Sequence, residues 1–122
     1  HQFVRIGRLA IVCGNEAVSR DIPPFAAVRY GGLKGYNAIG CKRAGIPRAS
    51  IHAIRGAFRD LHTHRTTPGA LEAIQERWGD VPEIRELLEF ARAKGRGLQP
   101  SYRFVKAGAT VAACERESED NS

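Results

Sequence analysis

The sequence predicts the end of a parallel β-helix followed by a small α-helical domain, and two patterns carry this prediction. Aliphatic residues recur every six positions at Ile6, Val12 and Val18, and a small residue follows each of them. A six-residue period is typical of parallel β-helices, in which each repeat forms a short strand and a turn around a narrow prism. After residue 33 the apolar spacing changes to that of amphipathic helices.

The β-helical part covers residues 1–30, which we interpret as its terminal coils. Three six-residue segments make one coil, and repeat folds need about three or more repeats to bury a core. The first coil would also present an open ladder edge. We therefore expect further coils before His1, which is not the Met of a translation start. Pro23 and Pro24 remove two backbone donors, and we expect them to end the ladder.

The helical C-terminal domain is predicted over residues 31–98. A short helix near 36–44 would end at Gly45 in the C′ position. Thr67 and Pro68 are predicted to be the N-cap and first residue of a later helix, and another is predicted to start within residues 80–82 and to end at Gly95. The inward-facing positions are predicted to be Ile51, Ile54, Phe58, Leu61, Leu71, Ile74, Trp78, Ile84, Leu87, Leu88 and Ala91. Residues 99–122 end in a charged polar run and are expected to form a disordered tail.

Positive charge is concentrated in the first half of the chain. Residues 1–66 carry eleven Lys or Arg against three acidic residues, a balance of +8, whereas residues 67–100 and 101–122 each carry −1. Such a surface suits a phosphate, an acidic protein or nucleic acid, although a merely solvated surface has the same composition.

Cysteine and histidine give no sign of a metal site. Cys13, Cys41 and Cys114 are odd in number and far apart, so we interpret them as buried reduced thiols. Arg43 lies close to Cys41 in sequence and could activate its thiol, but a packed thiol is the simpler interpretation. His62 and His64 lack partners at metal-ligand spacing. No run of about 18 apolar residues predicts a transmembrane segment.

Four segments then occur in a specific order: HQF, VSRDIPPF, GYNAIGCKRAGI and KGRGLQ. Together they resemble the C-terminal part of the UDP-N-acetylglucosamine O-acyltransferase family, over about residues 1–100. The resemblance implies a left-handed parallel β-helix in a cytoplasmic homotrimer, without a metal or other cofactor. It also implies transfer of a 3-hydroxyacyl chain from acyl carrier protein to the 3-hydroxyl of UDP-N-acetylglucosamine, the first step of lipid A biosynthesis.

Five residues match cleft or substrate-binding positions of that family, and no residue of this sequence matches its general-base histidine. Because the base would precede His1, we expect the 122-residue chain to be inactive by itself. The resemblance implies these roles: His1 lines the cleft, Gln2 lies beside the nucleotide, Gly14 leaves room for acyl methylenes, Asn37 contacts the nucleotide, and Arg43 lies on the carrier-protein and phosphate side.

Three features depart from the family pattern. Ile39 replaces an acidic residue, Ala44 replaces a second Arg, and a cleft histidine is missing from residues 29–36. Tyr30, Lys34 and Lys42 are candidates to take the place of these missing side chains.

Two further function classes stay open. The chain could be a non-catalytic module that binds carrier protein or nucleotide or holds a trimer together. A basic helical nucleic-acid binder is disfavoured, because aromatic and basic residues are not interleaved and no recognition motif is present.

Overall fold

The computed structural model describes residues 4–12, 14, 18–93, 95 and 97–105. The elements follow the chain as three short strands, four α-helices and a 3₁₀ turn. They are β1 (Ile11–Val12), β2 (Ala26–Arg29), β3 (Gly32–Tyr36), α1 (Ala38–Arg43), α2 (Arg48–Thr63), α3 (Thr67–Trp78), α4 (Pro82–Arg92) and the 3₁₀ turn Tyr102–Phe104. The strands form one mixed sheet in the order β1-β2-β3.

Within residues 4–12 and 18–29 the chain stacks on itself with a constant register. Ile6 bridges Ile22, and Ile11 and Val12 pair in parallel with Ala27 and Val28, so each partner lies sixteen positions further along the chain. This turn is therefore two residues shorter than three six-residue segments. Leu9 and Phe25, also sixteen apart, both have a positive φ, of 60° and 69°. The chain thus turns at the same corner twice, in a conformation that non-glycine residues rarely adopt.

The prediction that the double proline ends the ladder is wrong. Phe25 N donates to Arg8 O at 2.8 Å, directly after Pro24, and β2 then pairs with β1. A proline lacks its own N–H, but the neighbouring residue keeps a donor and the ladder resumes. The residues of the six-residue pattern would be expected to face the interior of the prism, but Ile6 is 57% exposed, whereas Ile22 beside it is fully buried.

The sheet continues beyond residue 30 through a two-residue hairpin. Arg29 pairs with Gly32, and the loop residues Tyr30 and Gly31 have φ values of 57° and 81°. Positive φ at both positions matches the right-handed twist of the flanking strands. The boundary placed between residues 30 and 31 therefore falls inside a hairpin, and helices begin only at Ala38.

The helices follow the predicted apolar spacing. The fully or nearly buried positions are Ile54, Phe58, Leu61, Leu71, Ile74, Ile84, Leu87 and Leu88, and Ile51, Trp78 and Ala91 pack partly buried against them. Gly45 follows α1 with a φ of 77°, as predicted. Thr66, not Thr67, caps α3: its hydroxyl accepts a hydrogen bond from Gly69 N, three residues into the helix, which places the first helical residue at Thr67.

Residues 97–105 return to the sheet. Gly97 O accepts from Asp21 N, Gln99 N donates to Asp21 O, and Leu33 N donates to Pro100 O, each at 2.8 Å. Gln99 and Ser101 are 7% and 3% exposed. The expected disordered tail is therefore wrong for residues 99–105, because their backbone groups find partners on the sheet; residues 106–122 lie outside the described part.

No helix in the described part of the chain has the length and hydropathy needed to cross a membrane.

Candidate functional site

A groove of about 490 Å³ lies where the first two strands meet the start of α1. Ile11 and Ile39 are 52% and 66% exposed, which is unusual for large aliphatic side chains. Arg29, Tyr36 and Asn37 contribute polar groups. The groove is lined by Ile11, Val12, Gly14, Ala27, Val28, Arg29, Tyr36, Asn37, Ala38 and Ile39. Its composition suits a ligand with both an apolar and a polar or anionic part.

Three hydrogen bonds hold Asn37 in this groove. Its backbone N donates to Phe25 O at 2.7 Å, its Nδ2 donates to Leu9 O at 2.9 Å, and its Oδ1 accepts from Gly40 N at 3.0 Å. The first two bonds fix Asn37 to the two corners of the stacked turns, and the third caps α1. An amide has two N–H groups and two lone pairs, so one of each stays available to a ligand.

Only some of the site residues predicted from the sequence line the groove. Gly14 and Asn37 come together in the groove. Arg43 lies exposed in the last turn of α1 and is not among the groove residues. Its positive charge interacts favourably with the C-terminal end of the helix dipole. His1 and Gln2 lie outside the described residues.

Two of the three candidate substitutes are engaged elsewhere. Lys34 Nζ lies 3.4 Å from the Tyr102 hydroxyl and 4.5 Å from the centre of that ring. Tyr30 packs on the same ring, with centroids 5.4 Å apart. Lys42 is exposed on α1 and, like the other two, does not line the groove.

Sequence reasoning missed Arg29, Tyr36 and Ile11 as groove residues. Arg29 supplies the groove with its one guanidinium among the described lining residues. No sequence signal points to it, because AAVR does not alternate apolar and polar residues and burial alternates along β2 only in the structure.

Cys41 is a packed thiol, as predicted. It is fully buried and unpaired, and burial raises its pKa. The nearby guanidinium that opposes this rise belongs to Arg8, not Arg43, and Glu83 adds to the rise in pKa. Cys13 and Cys114 lie outside the described residues.

His62 and His64 both have structural contacts. His62 Nδ1 lies 2.8 Å from Ser101 Oγ, and its ring stacks on Tyr102. His64 Nδ1 lies 3.0 Å from Asp60 O. Within the described residues no three His, Cys, Asp or Glu side chains group to hold a metal ion.

A family model described as UDP N-acetylglucosamine O-acyltransferase, domain 2, matches residues 21–99, which include most of the groove and all four helices. The chain belongs to this UDP-N-acetylglucosamine O-acyltransferase family. The family is one of acyltransferases, and the resemblance drawn from the four sequence segments is confirmed.

Curated relatives support the same assignment. The acyl-[acyl-carrier-protein]–UDP-N-acetylglucosamine O-acyltransferase of Gloeothece citriformis is 41% identical over 93 residues, which are 74% of this chain and 33% of that protein. The protein of the same name from Rhizobium rhizogenes is 38% identical over 96 residues, 76% of this chain and 35% of the relative. The chain thus spans about a third of these relatives.

A solved structure shows the same fold. The UDP-N-acetylglucosamine acyltransferase LpxA from Bacteroides fragilis superimposes with a TM-score of 0.74 at 32% identity, covering 80% of this chain and 40% of that one. This chain therefore shares its fold with that relative over the part that superimposes.

Proposed function

We propose that this chain is the C-terminal portion of an acyltransferase that moves a 3-hydroxyacyl chain from acyl carrier protein to the 3-hydroxyl of UDP-N-acetylglucosamine, in the cytoplasm, as the first step of lipid A biosynthesis. The observation that carries the proposal is the groove in which Asn37 and Gly14 meet, within a chain whose relatives bear this activity in their names.

The proposed architecture is a left-handed parallel β-helix that forms a homotrimer. The sixteen-residue register and the repeated corner at Leu9 and Phe25 support a coiled solenoid. Ile6 is more than half exposed and would become buried against a further coil or chain. Both features fit the terminal coils predicted for residues 1–30.

The apolar and the polar residues of the groove would bind different parts of the substrates. Ile11, Val12 and Gly14 would hold methylenes of the acyl chain, because apolar surface and a missing side chain favour a flexible hydrocarbon. The free amide groups of Asn37 would bind a polar part of the nucleotide sugar. Arg29 would bind phosphate through its planar guanidinium.

The chemical step is general-base acyl transfer. A base takes the proton from the sugar hydroxyl, whose oxygen attacks the thioester carbonyl, and the carrier-protein thiolate leaves. Since no residue here matches the family's general-base histidine, we expect the chain alone to give no turnover.

A chimera tests this proposal. In the Gloeothece citriformis relative, this chain replaces the matched segment, and product is measured from 3-hydroxyacyl carrier proteins of several chain lengths and UDP-N-acetylglucosamine. We expect transfer by the chimera and none by the chain alone. Asn37→Ala should lower kcat/KM about tenfold or more, as expected for a lost hydrogen bond to substrate. Arg48→Gln, on the exposed start of α2, is the control and should leave the rate unchanged.

Ile39 provides a second readout in the same chimera. Because it is 66% exposed on the groove wall, Ile39→Glu can be made without disturbing the core. A changed KM for the nucleotide sugar with an unchanged kcat would place Ile39 beside that substrate. A folded chimera that binds UDP-N-acetylglucosamine but forms no product at any chain length would contradict the enzyme proposal and favour a binding module.

A further inference from the structure

A second concave site lies on the helical domain, between α2 and the end of α3. This cleft has a volume of about 230 Å³ and is lined by His52, Arg55, Gly56, Arg59, Arg77 and Trp78. It shares no lining residue with the groove, so the proposed acyl transfer makes no use of it.

Exposed guanidinium groups lie together at this cleft. Arg55 and Arg59 are exposed and lie four positions apart on one face of α2, next to the exposed His52. Like charges four positions apart disfavour a helix slightly. The acid of α2, Asp60, pairs with Arg77 at 3.1 Å and is itself buried. Among the described residues, the side chains of Arg55 and Arg59 form no ion pair or hydrogen bond, which leaves two guanidinium groups facing solvent.

An aromatic wall gives the cleft its shape. Trp78 packs into the space left by the missing side chain of Gly56, where a Cβ atom would collide with the indole ring. The Arg77 guanidinium lies 5.8 Å from the centre of that ring. The indole is half-buried, so part of it stays accessible to a ligand.

We infer that this cleft binds a phosphate-bearing small molecule, such as a phosphate ester or a pyrophosphate. Guanidinium groups bind phosphate oxygens in pairs through their planar N–H fork, and three of them line this cleft. A concave site of this size favours one compact anion over the extended surface of a protein or nucleic acid. The indole beside the arginines suits an apolar or planar group attached to the phosphate.

Trp78 makes the test direct, because it is the only tryptophan in the chain. The full chain is titrated with inorganic pyrophosphate while Trp78 fluorescence is recorded, with sodium chloride as the ionic-strength control. We expect a saturable change with pyrophosphate and none with chloride. The double variant Arg55→Gln, Arg59→Gln should weaken binding at least tenfold. Arg55→Lys, Arg59→Lys keeps the charge but loses the fork, and should bind with intermediate affinity.

Two control variants distinguish binding in the cleft from a general charge effect and from binding in the groove. Arg20→Gln, Arg48→Gln removes the same charge from exposed positions outside the cleft and should change the affinity by no more than about twofold. Arg29→Gln alters the groove and should leave the titration unchanged.

Four results would overturn the inference: no saturable change; equal weakening by the two charge-matched double variants; loss of binding on Arg29→Gln, which would assign the signal to the groove; or binding to phosphatidylglycerol vesicles without binding to pyrophosphate. Because the titration involves no acyl transfer, its outcome is independent of the chimera's activity.

Discussion

Two buried aspartates should respond very differently to the same substitution. Asp21 is fully buried, and its Oδ2 accepts from Arg5 Nε and Nη2 at 3.1 and 2.7 Å while Oδ1 accepts from Arg5 N at 2.9 Å. Asp60 is 2% exposed; its Oδ1 accepts from Arg77 at 3.1 Å, and its Oδ2 has no partner within the described residues. The first carboxylate is satisfied and the second is not.

Asp21→Asn places an amide N–H group where two guanidinium donors now find an acceptor. Each lost charge-assisted hydrogen bond is worth about 1.5 kcal/mol, so the variant should lose roughly 3 kcal/mol of unfolding free energy. In Asp60→Asn the remaining oxygen can still accept from Arg77, and removal of a poorly compensated buried charge offsets the weaker bond. We expect a loss below about 1 kcal/mol there.

Urea denaturation followed by circular dichroism measures both losses under identical conditions. Arg5 is the partner to test in turn: in the Asp21→Asn background, Arg5→Gln should cost less than it does in the original chain, because the pair with Asp21 is already broken and only the contacts of Arg5 with Phe90 are lost. Equal destabilisation by the two Asp→Asn substitutions would refute the reasoning, since burial rather than hydrogen bonding would then set the cost.

Three further predictions concern packing and ionisation. Burial raises the pKa of Cys41, so the unfolded chain loses the thiol proton at a lower pH than the folded chain. The free energy of unfolding should therefore fall as pH rises past 9.0, the ordinary pKa of the thiol. In Cys41→Ala this part of the pH dependence should disappear, and an unchanged pH dependence would contradict the assignment. Gly56→Ala should cost about 1 kcal/mol net, because overpacking against Trp78 outweighs the gain in helix propensity, and it should shift the tryptophan emission; a stabilised variant with unchanged emission would be the opposite result. Leu87→Ala, at a fully buried position of α4, should cost about 2–5 kcal/mol in urea denaturation, and a loss under about 1 kcal/mol would mean that the helix is not packed as described.

The helices could be predicted because their information is local. Ile54, Phe58 and Leu61 recur at helical spacing, and a Pro or Gly lies near each boundary, so the inward faces followed from the sequence. Two predicted boundaries were wrong. Thr66 caps α3 in place of the adjacent Thr67, which could also cap, and α4 ends at Arg92 and not at Gly95.

The strands were harder, because their pairing is held by backbone groups. β3 contains Gly32, Lys34 and Gly35, which are poor strand formers, and it forms because β2 and the returning segment donate and accept on either side of it. The amino-acid sequence of residues 97–105 does not indicate that their backbone pairs with Asp21 and Leu33. The domain boundary predicted at residue 98 was therefore too early.

The candidate groove was partly predictable for a similar reason. Asn37 could be singled out from its motif, and its cap on α1 follows from its residue type. Arg29 and Ile11 could not, because they become groove residues only when β1 and β2 pair at a separation of sixteen positions.

The return of residues 97–105 to the sheet also has a consequence for how the helical domain can be exchanged. The bridges Asp21–Leu98 and Leu33–Ser101 join the segment that follows the helices to residues that precede them. The region from Ala38 to Arg92 thus lies between two segments of the same scaffold. It should be transplantable between relatives as one cassette, provided that the returning segment travels with its own sheet partners. A cut at residue 98 would separate that segment from the strand it completes.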